Sequence, residues 1–222
     1  NTIYASSANS GYVQLIYFQG SGTHTITNTQ FEFCGSHPFQ YLEENKRYPD
    51  NWDPTLIVCE GTSTNIFEGG SFNHPPSGSP QGWELAQTRC IRVRDQCSLD
   101  ISEFVCRNTS SLFKGGLFIF DTTGEVITAN CPISISIDRG GNDPAHSIYI
   151  TSNCTTNVTI TGCTFTDAGS DSGNVILSDN SVLTFTGNTI TFSDANKCCR
   201  GLRCYRKGSF YINGNTFTNI MT

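Results

Sequence analysis

Thiols are the densest chemistry in the chain. Eleven cysteines stand at Cys34, Cys59, Cys90, Cys97, Cys106, Cys131, Cys154, Cys163, Cys198, Cys199 and Cys204. That many either ligate metal or pair as disulfides. Metal clusters favour Cys-x-x-Cys spacing and recruit histidine. Here no Cys-x-x-Cys occurs, and of His24, His37, His74 and His146 only His37 lies near a cysteine, Cys34. No metal site is expected, and the reading is disulfides formed in an oxidising compartment. Adjacent Cys198 and Cys199 cannot easily bond each other, so they are expected to tie one loop to two different partners. The odd count is compatible with one bond between subunits. Asn108, Asn153 and Asn157 head Asn-x-Ser/Thr triplets and are the candidate N-glycosylation sites of an exported chain.

Carboxylates and aromatics offer weaker chemistry. Asp138-Arg139-Gly140-Gly141-Asn142-Asp143 has the residue types of a calcium-assisted lyase, in which acidic groups hold the ion beside a proton-abstracting arginine. Its Gly-Gly-Asn-Asp-Pro composition reads instead as a sharp turn. Asp167, Asp171 and Asp179 either gather at one corner to bind calcium or form a solvated acidic loop, and the loop is favoured. Trp52, Trp83, Tyr41 and Tyr48 would stack on sugar rings if they lined one groove, but such residues more often pack as a satellite core under a loop. The basic residues Lys197, Arg200, Arg203, Arg206 and Lys207 read as a solvated loop, and a net charge of -6 argues against nucleic acid as a partner. No catalytic, cofactor-binding or metal-binding residue is expected.

Elements that position these residues emerge from composition and repetition. Charged residues make up 14% of the 222, well below the usual quarter, while apolar ones make up 36%. Ser, Thr and Asn supply the polarity, and short neutral side chains tile a β-sheet without mutual repulsion. Val158-Thr-Ile160-Thr-Gly-Cys163-Thr-Phe165 returns as Leu183-Thr-Phe185-Thr-Gly-Asn188-Thr-Ile190 and as Phe210-Tyr-Ile212-Asn-Gly-Asn215-Thr-Phe217. A weaker copy runs from His24 to Phe31. Each copy is strand, corner, strand: apolar residues alternate with polar ones, and Gly or Asn accepts the left-handed backbone of a tight bend. Separations of 25 and 27 residues fit one turn of a three-sided parallel solenoid, too short for a propeller blade.

A second strand is expected upstream at Val13–Leu15, Ile148–Ile150 and Val175–Leu177. A further echo, Asn65 to Phe72 against Ser111 to Phe118, suggests a separation of two turns. Asn188 and Asn215 fall at one corner in successive turns, with Cys163 in the turn before, and an asparagine ladder is expected there. The fold class is all-β: a right-handed single-stranded parallel β-helix of three sheets, one domain over 1–222, with long disulfide-tied loops near 35–96 and 193–207.

The motifs resemble those of right-handed parallel β-helix proteins of the pectate-lyase-like superfamily, and especially polymorphic outer-membrane-protein repeats. Those repeats carry Phe-x-x-Asn and Gly-Gly-Ala-apolar signatures. Phe185-Thr-Gly-Asn188 matches the first, and Gly69-Gly70-Ser71 and Gly115-Gly116-Leu117 approach the second. The resemblance implies an elongated, extracellular, often adhesive β-helix. The Asn-Thr-Asp, Asp-Asp, Gly-His-Gly and Arg-Ile-Lys signatures of polygalacturonase-like enzymes are missing from the sequence.

No apolar run is long enough for a membrane helix, and the first residues lack a signal peptide's basic and apolar regions, so the segment is expected to be mature or excised. Strand patterns start at Tyr12–Phe18 and persist to Phe210–Ile220 without a terminal cap. The expectation is a secreted or cell-surface, non-catalytic structural or adhesive module. It would stack head to tail with copies of itself or form part of a longer protein, with glycans as a further partner. A polysaccharide-binding or polysaccharide-degrading protein is the alternative.

Overall fold

Alternating strands broken at regular intervals by a left-handed corner can satisfy their backbone groups by coiling, each strand pairing with its counterpart one turn on. The computed structural model describes residues 2–6, 16–34, 55–74, 89–108, 115–135, 145–166, 174–178, 181–192, 200–204 and 208–219. After β1 (Thr2–Ser6) the chain passes through seven turns of three strands. These are β2 (Ile16–Gly20), β3 (Thr23–Thr27) and β4 (Gln30–Cys34); then β5 (Thr55–Gly61), β6 (Thr64–Glu68) and β7 (Ser71–His74). Next come β8 (Arg89–Asp95), β9 (Ser98–Ser102) and β10 (Val105–Asn108), then β11 (Gly115–Thr122), β12 (Val126–Ala129) and β13 (Pro132–Ile135). The last three turns are β14 (Ala145–Ile150), β15 (Asn157–Thr161) and β16 (Thr164–Thr166); β17 (Asn174–Ser178), β18 (Val182–Thr186) and β19 (Thr189–Thr191); β20 (Arg200–Cys204), β21 (Ser209–Asn213) and β22 (Thr216–Thr218).

First strands of the turns form sheet B, second strands sheet C, and third strands together with β1 the eight-stranded sheet A. All pairings among the described strands are parallel, and no described residue is helical. The protein is therefore an all-β solenoid of three parallel sheets. Register bears out the repeat residue for residue: Val158 pairs with Leu183 and Leu183 with Phe210, and Val158 pairs back to Val126. His24 sits in the same column, opposite Asn65. Inward columns such as Leu99, Val126, Val158 and Leu183, or Phe165 and Ile190, are wholly buried. They stack at the inter-strand spacing of about 4.8 Å.

Corners between sheets C and A carry the backbone signature. Asn28, Gly69, Glu103, Asn130, Gly162, Gly187 and Gly214 occupy one column, all left-handed with φ from 47° to 63°. Asparagine at Asn130 leans its Oδ1 into the space where Gly162 would carry a β-carbon, so the two turns share that volume. Gly187 has no such neighbour; the nearest atom, the Gly162 nitrogen, is 4.0 Å from where its β-carbon would stand.

Several expectations are corrected. Sheet B pairs Ile148 with Ile176 rather than Val175, one residue from the sequence alignment. The double-glycine echo does not stack: Gly69-Gly70 forms a C-to-A corner, whereas Gly115-Gly116 opens β11 in sheet B. Strands β5 to β8 run inside the 35–96 stretch, in the same three sheets as the rest. Residues 35–54, 75–88, 193–199 and 205–207, with the aromatic candidates and the Cys198-Cys199 pair, lie outside the described residues, as does Val13–Leu15.

The largest correction concerns sulfur. Cys59, Cys90, Cys97, Cys106, Cys131, Cys154 and Cys163 are all free thiols buried in the solenoid, and Cys204 is free and half-buried. None of these eight ties a loop. Cysteine ranks among the most buried small side chains and serves here as core packing. Burial pushes the Cys59 thiol up to about 12 and, first among its causes, the Cys154 thiol up to about 11.

Two outcomes follow from the corners and the thiols. Gly187→Ala should cost about 1–2 kcal/mol, the left-handed penalty alone; Gly162→Ala should cost more, and Asn130→Gly should recover the excess, all read by denaturant unfolding. Because folding raises the Cys59 and Cys154 thiols, their contribution to stability is intact below pH 9 and falls as pH rises from 9 towards 12, by up to about 1.4 kcal/mol per unit for each of the two. Cys59→Ala should flatten that alkaline slope; an unchanged slope would refute the assignment.

Candidate assembly surface

Polar side chains at the inner C-to-A corner decide how one turn docks on the next. Thr29, Gly70, Phe104, Cys131, Cys163, Asn188 and Asn215 follow the left-handed residues in successive turns. Asn188 is buried; its Oδ1 accepts from the Cys163 amide at 2.9 Å and its Nδ2 donates to the Ile160 carbonyl at 2.9 Å. Asn215 repeats the pattern one turn on. Its Oδ1 accepts from the Asn188 amide at 2.8 Å and its Nδ2 donates to Phe185 O at 2.8 Å. The expected asparagine ladder is present, and each rung takes the amide of the turn before it.

Thiols continue the column. Cys131 Sγ donates to Ala129 O at 3.3 Å, and Cys163 Sγ to Thr161 O at 3.5 Å and Thr128 O at 3.6 Å. A thiol can thus serve the carbonyl that an asparagine amide serves elsewhere, with weaker bonds.

At the C-terminal end the pattern is open. Strands β20, β21 and β22 are the outermost strands of sheets B, C and A, each paired on one side to β17, β18 and β19. Ile212 stands opposite Phe185 and Phe217 opposite Ile190. Phe185 and Ile190 are fully buried, yet Ile212 is 48% and Phe217 45% exposed, and Tyr211 on the outer face is 60% exposed. Covering two such side chains completely is worth about 1.5–3 kcal/mol each. The row of strand edges beside them is a template for further parallel pairing.

The other end differs. Ile16, Phe18 and Ile26 are half-buried, and Phe18 stacks on His24 with ring centroids 4.4 Å apart and planes 5° from parallel. Strands β2 and β3 are the edges of sheets B and C there, while sheet A ends in β1.

Two other surfaces are built from polar groups. On the outside of sheet B, Asp121 accepts from Thr151 Oγ1 at 2.6 Å, Asn153 Nδ2 at 2.9 Å and Arg92 at 3.1 Å. Burial pushes its carboxyl up, but these donors outweigh burial and hold it below its ordinary value. All its donors are structural, so Asp121 is a strut between turns. On sheet A, Asn28, Gln30, Ser71, Asn73, Val105 and Arg107 line a groove of about 470 Å³. Its described lining has amides, a hydroxyl and one guanidinium.

Of the sequence candidates, Asn153 and Asn157 are exposed and Asn108 ends β10. Asp138–Asp143, Asp167, Asp171 and Asp179 lie outside the described residues, and no described group of His, Cys, Asp and Glu has the geometry to hold a metal ion. Sequence reasoning missed the Arg92–Asp121 strut, since nothing in the two strands' patterns marks a cross-turn pair, and the sheet A groove. Compared with known proteins, the chain matches no family model, no curated protein and no solved structure.

Asn188→Ala would leave the Cys163 amide and the Ile160 carbonyl buried without their partner. Unfolding should show a loss on the order of 3 kcal/mol. Asn215→Ala, at the half-buried end, should lose less; equal losses would contradict the ladder.

Proposed function

We propose that the protein is a non-catalytic structural module of the cell exterior, a right-handed parallel β-helix that extends by adding coils to its C-terminal end, either from further copies or within a longer surface protein. The observation that carries this reading is the exposed Ile212 and Phe217 beside β20, β21 and β22, which among the described strands are paired on one side. Strand-to-crossover-to-parallel-strand connections are overwhelmingly right-handed, which supports the hand. The resemblance to polymorphic outer-membrane-protein repeats supports an extracellular place, as do the sequons at Asn108, Asn153 and Asn157. No helix among the described residues is long and apolar enough to cross a membrane.

Topology adds a condition on copy-to-copy stacking. Sheet A has eight strands and sheets B and C seven, and the last turn ends in sheet A. A following copy placed with β2 and β3 directly on β20 and β21 brings its β1 into the position β22 already fills. One of the two strands must therefore leave sheet A at the junction. Such a contact is head to tail and grows as an open fibre.

Concentrated protein should form filaments by electron microscopy and elongated oligomers by sedimentation. Ile212→Lys with Phe217→Lys should abolish them with the fold retained by circular dichroism, whereas removal of residues 1–6 should speed elongation. Strictly monomeric behaviour of the unmodified and shortened chains alike would sink the copy-to-copy form.

A second reading rests on the sheet A groove. Amides, Ser71 and the Arg107 guanidinium are groups that bind sugar hydroxyls and carboxylates, so the groove suits an acidic glycan as ligand.

A further inference from the structure

Two of the buried thiols meet at one corner. Cys131 and Cys163 occupy the same inner corner of the fourth and fifth turns: the residues after them, Pro132 and Thr164, are register partners. The Thr164 amide also donates to the Cys131 carbonyl at 3.0 Å. Neighbouring strands separated by about 4.8 Å fall inside the Cα separation of about 4.4–6.8 Å that a disulfide spans. Both side chains are buried in the core. They do not belong to a ligand cage, since no described group of three or more such residues has metal-holding geometry.

We propose that Cys131–Cys163 is an interior disulfide of the mature protein, made while the coils close. It would staple turn four to turn five at the ladder corner. In this scheme the cysteines act within the core, not in loops, and Cys59 and Cys154 remain thiols. The chemistry is thiol–disulfide exchange with a small disulfide such as oxidised glutathione. One cysteine thiolate attacks it, forming a mixed disulfide and expelling one glutathione thiol. The partner thiolate then attacks the mixed disulfide, the Cys–Cys bond forms, and a second glutathione thiol leaves. Both cysteine protons end on the two released thiols, and the two electrons reduce the glutathione disulfide.

The inference rests on the extracellular reading only for the presence of that oxidant in the cell, so its test is run where location plays no part. The reduced full-length chain is refolded in a glutathione redox buffer, unfolded without reductant in iodoacetamide, digested, and mapped by mass spectrometry. The expected result is Cys131 linked to Cys163, and Cys59 and Cys154 alkylated. A chain with a β-sheet circular dichroism spectrum in which Cys131 and Cys163 are alkylated, or joined to other cysteines, overturns the proposal. Reductant should also lower the melting temperature of the natural chain more than that of the Cys131→Ser/Cys163→Ser variant; equal sensitivity counts against the staple. A Cys131–Cys163 bond that forms in the buffer from a protein its own cell retains in the cytosol would uphold the pairing and defeat the extracellular reading alone.

Discussion

Parallel pairing in strict register, turn upon turn, is the constraint on which everything else rests. It holds only if every turn bends at the same place, and the left-handed residue between sheets C and A enforces that bend in all seven turns. A one-residue slip would send each inward Ile, Val or Phe to the outside. The corner amides reinforce the register, because the Cys163 and Asn188 amides each bond an asparagine oxygen of the following turn. The same directionality makes the last turn unlike the others: Asn215 serves the amide behind it, as Asn188 does, while the apolar residues of its turn remain half exposed.

The corner column also explains why one site accepts such different residues. Thr29, Phe104, Cys131, Cys163 and Asn188 are all buried there. What they share is the need to fill a narrow interior and to leave the neighbouring carbonyls bonded. Asparagine meets both needs, threonine and cysteine meet the second with a single donor, and phenylalanine meets only the first. Phe104 packs its ring near Phe31 and Phe67, with centroids 6.3 and 6.5 Å away, so aromatic contact replaces polar contact in that turn.

How much of this was legible in the sequence varied with how many cues coincided. Around Val158, Leu183 and Phe210 alternation and a glycine corner agree, and the alignment of the three copies equals the observed pairing. Sheet B lacks a corner marker of that kind, which is why the pattern sets Val175 where Ile176 belongs. Glycine pairs misled because glycine serves a bend at Gly69-Gly70 and a strand start at Gly115-Gly116. Cysteine count argued from redox compartment, whereas position within the alternation, as for Cys163 in the Asn188 column, already marked some as interior. Asn65 was hidden among apolar residues; it is buried in the inward column, held by Ser63 and the Ser98 carbonyl. The Asp121 strut and the polar groove depend on side chains from separate turns meeting outside the sheets, and no single segment encodes that.

Seven connections lead from a strand of sheet A to the next strand of sheet B, and they span 7–15, 35–54, 75–88, 109–114, 136–144, 167–173 and 193–199. The link from sheet C to sheet A, by contrast, is two residues in every turn. Links from sheet B to sheet C run from two residues to six, so length varies most along the seam from A to B, where an insertion begins and ends on strands whose partners are fixed by other parts of the turn. New specificities can accumulate at that seam as interchangeable cassettes, with the coil beneath acting as a ruler that spaces them.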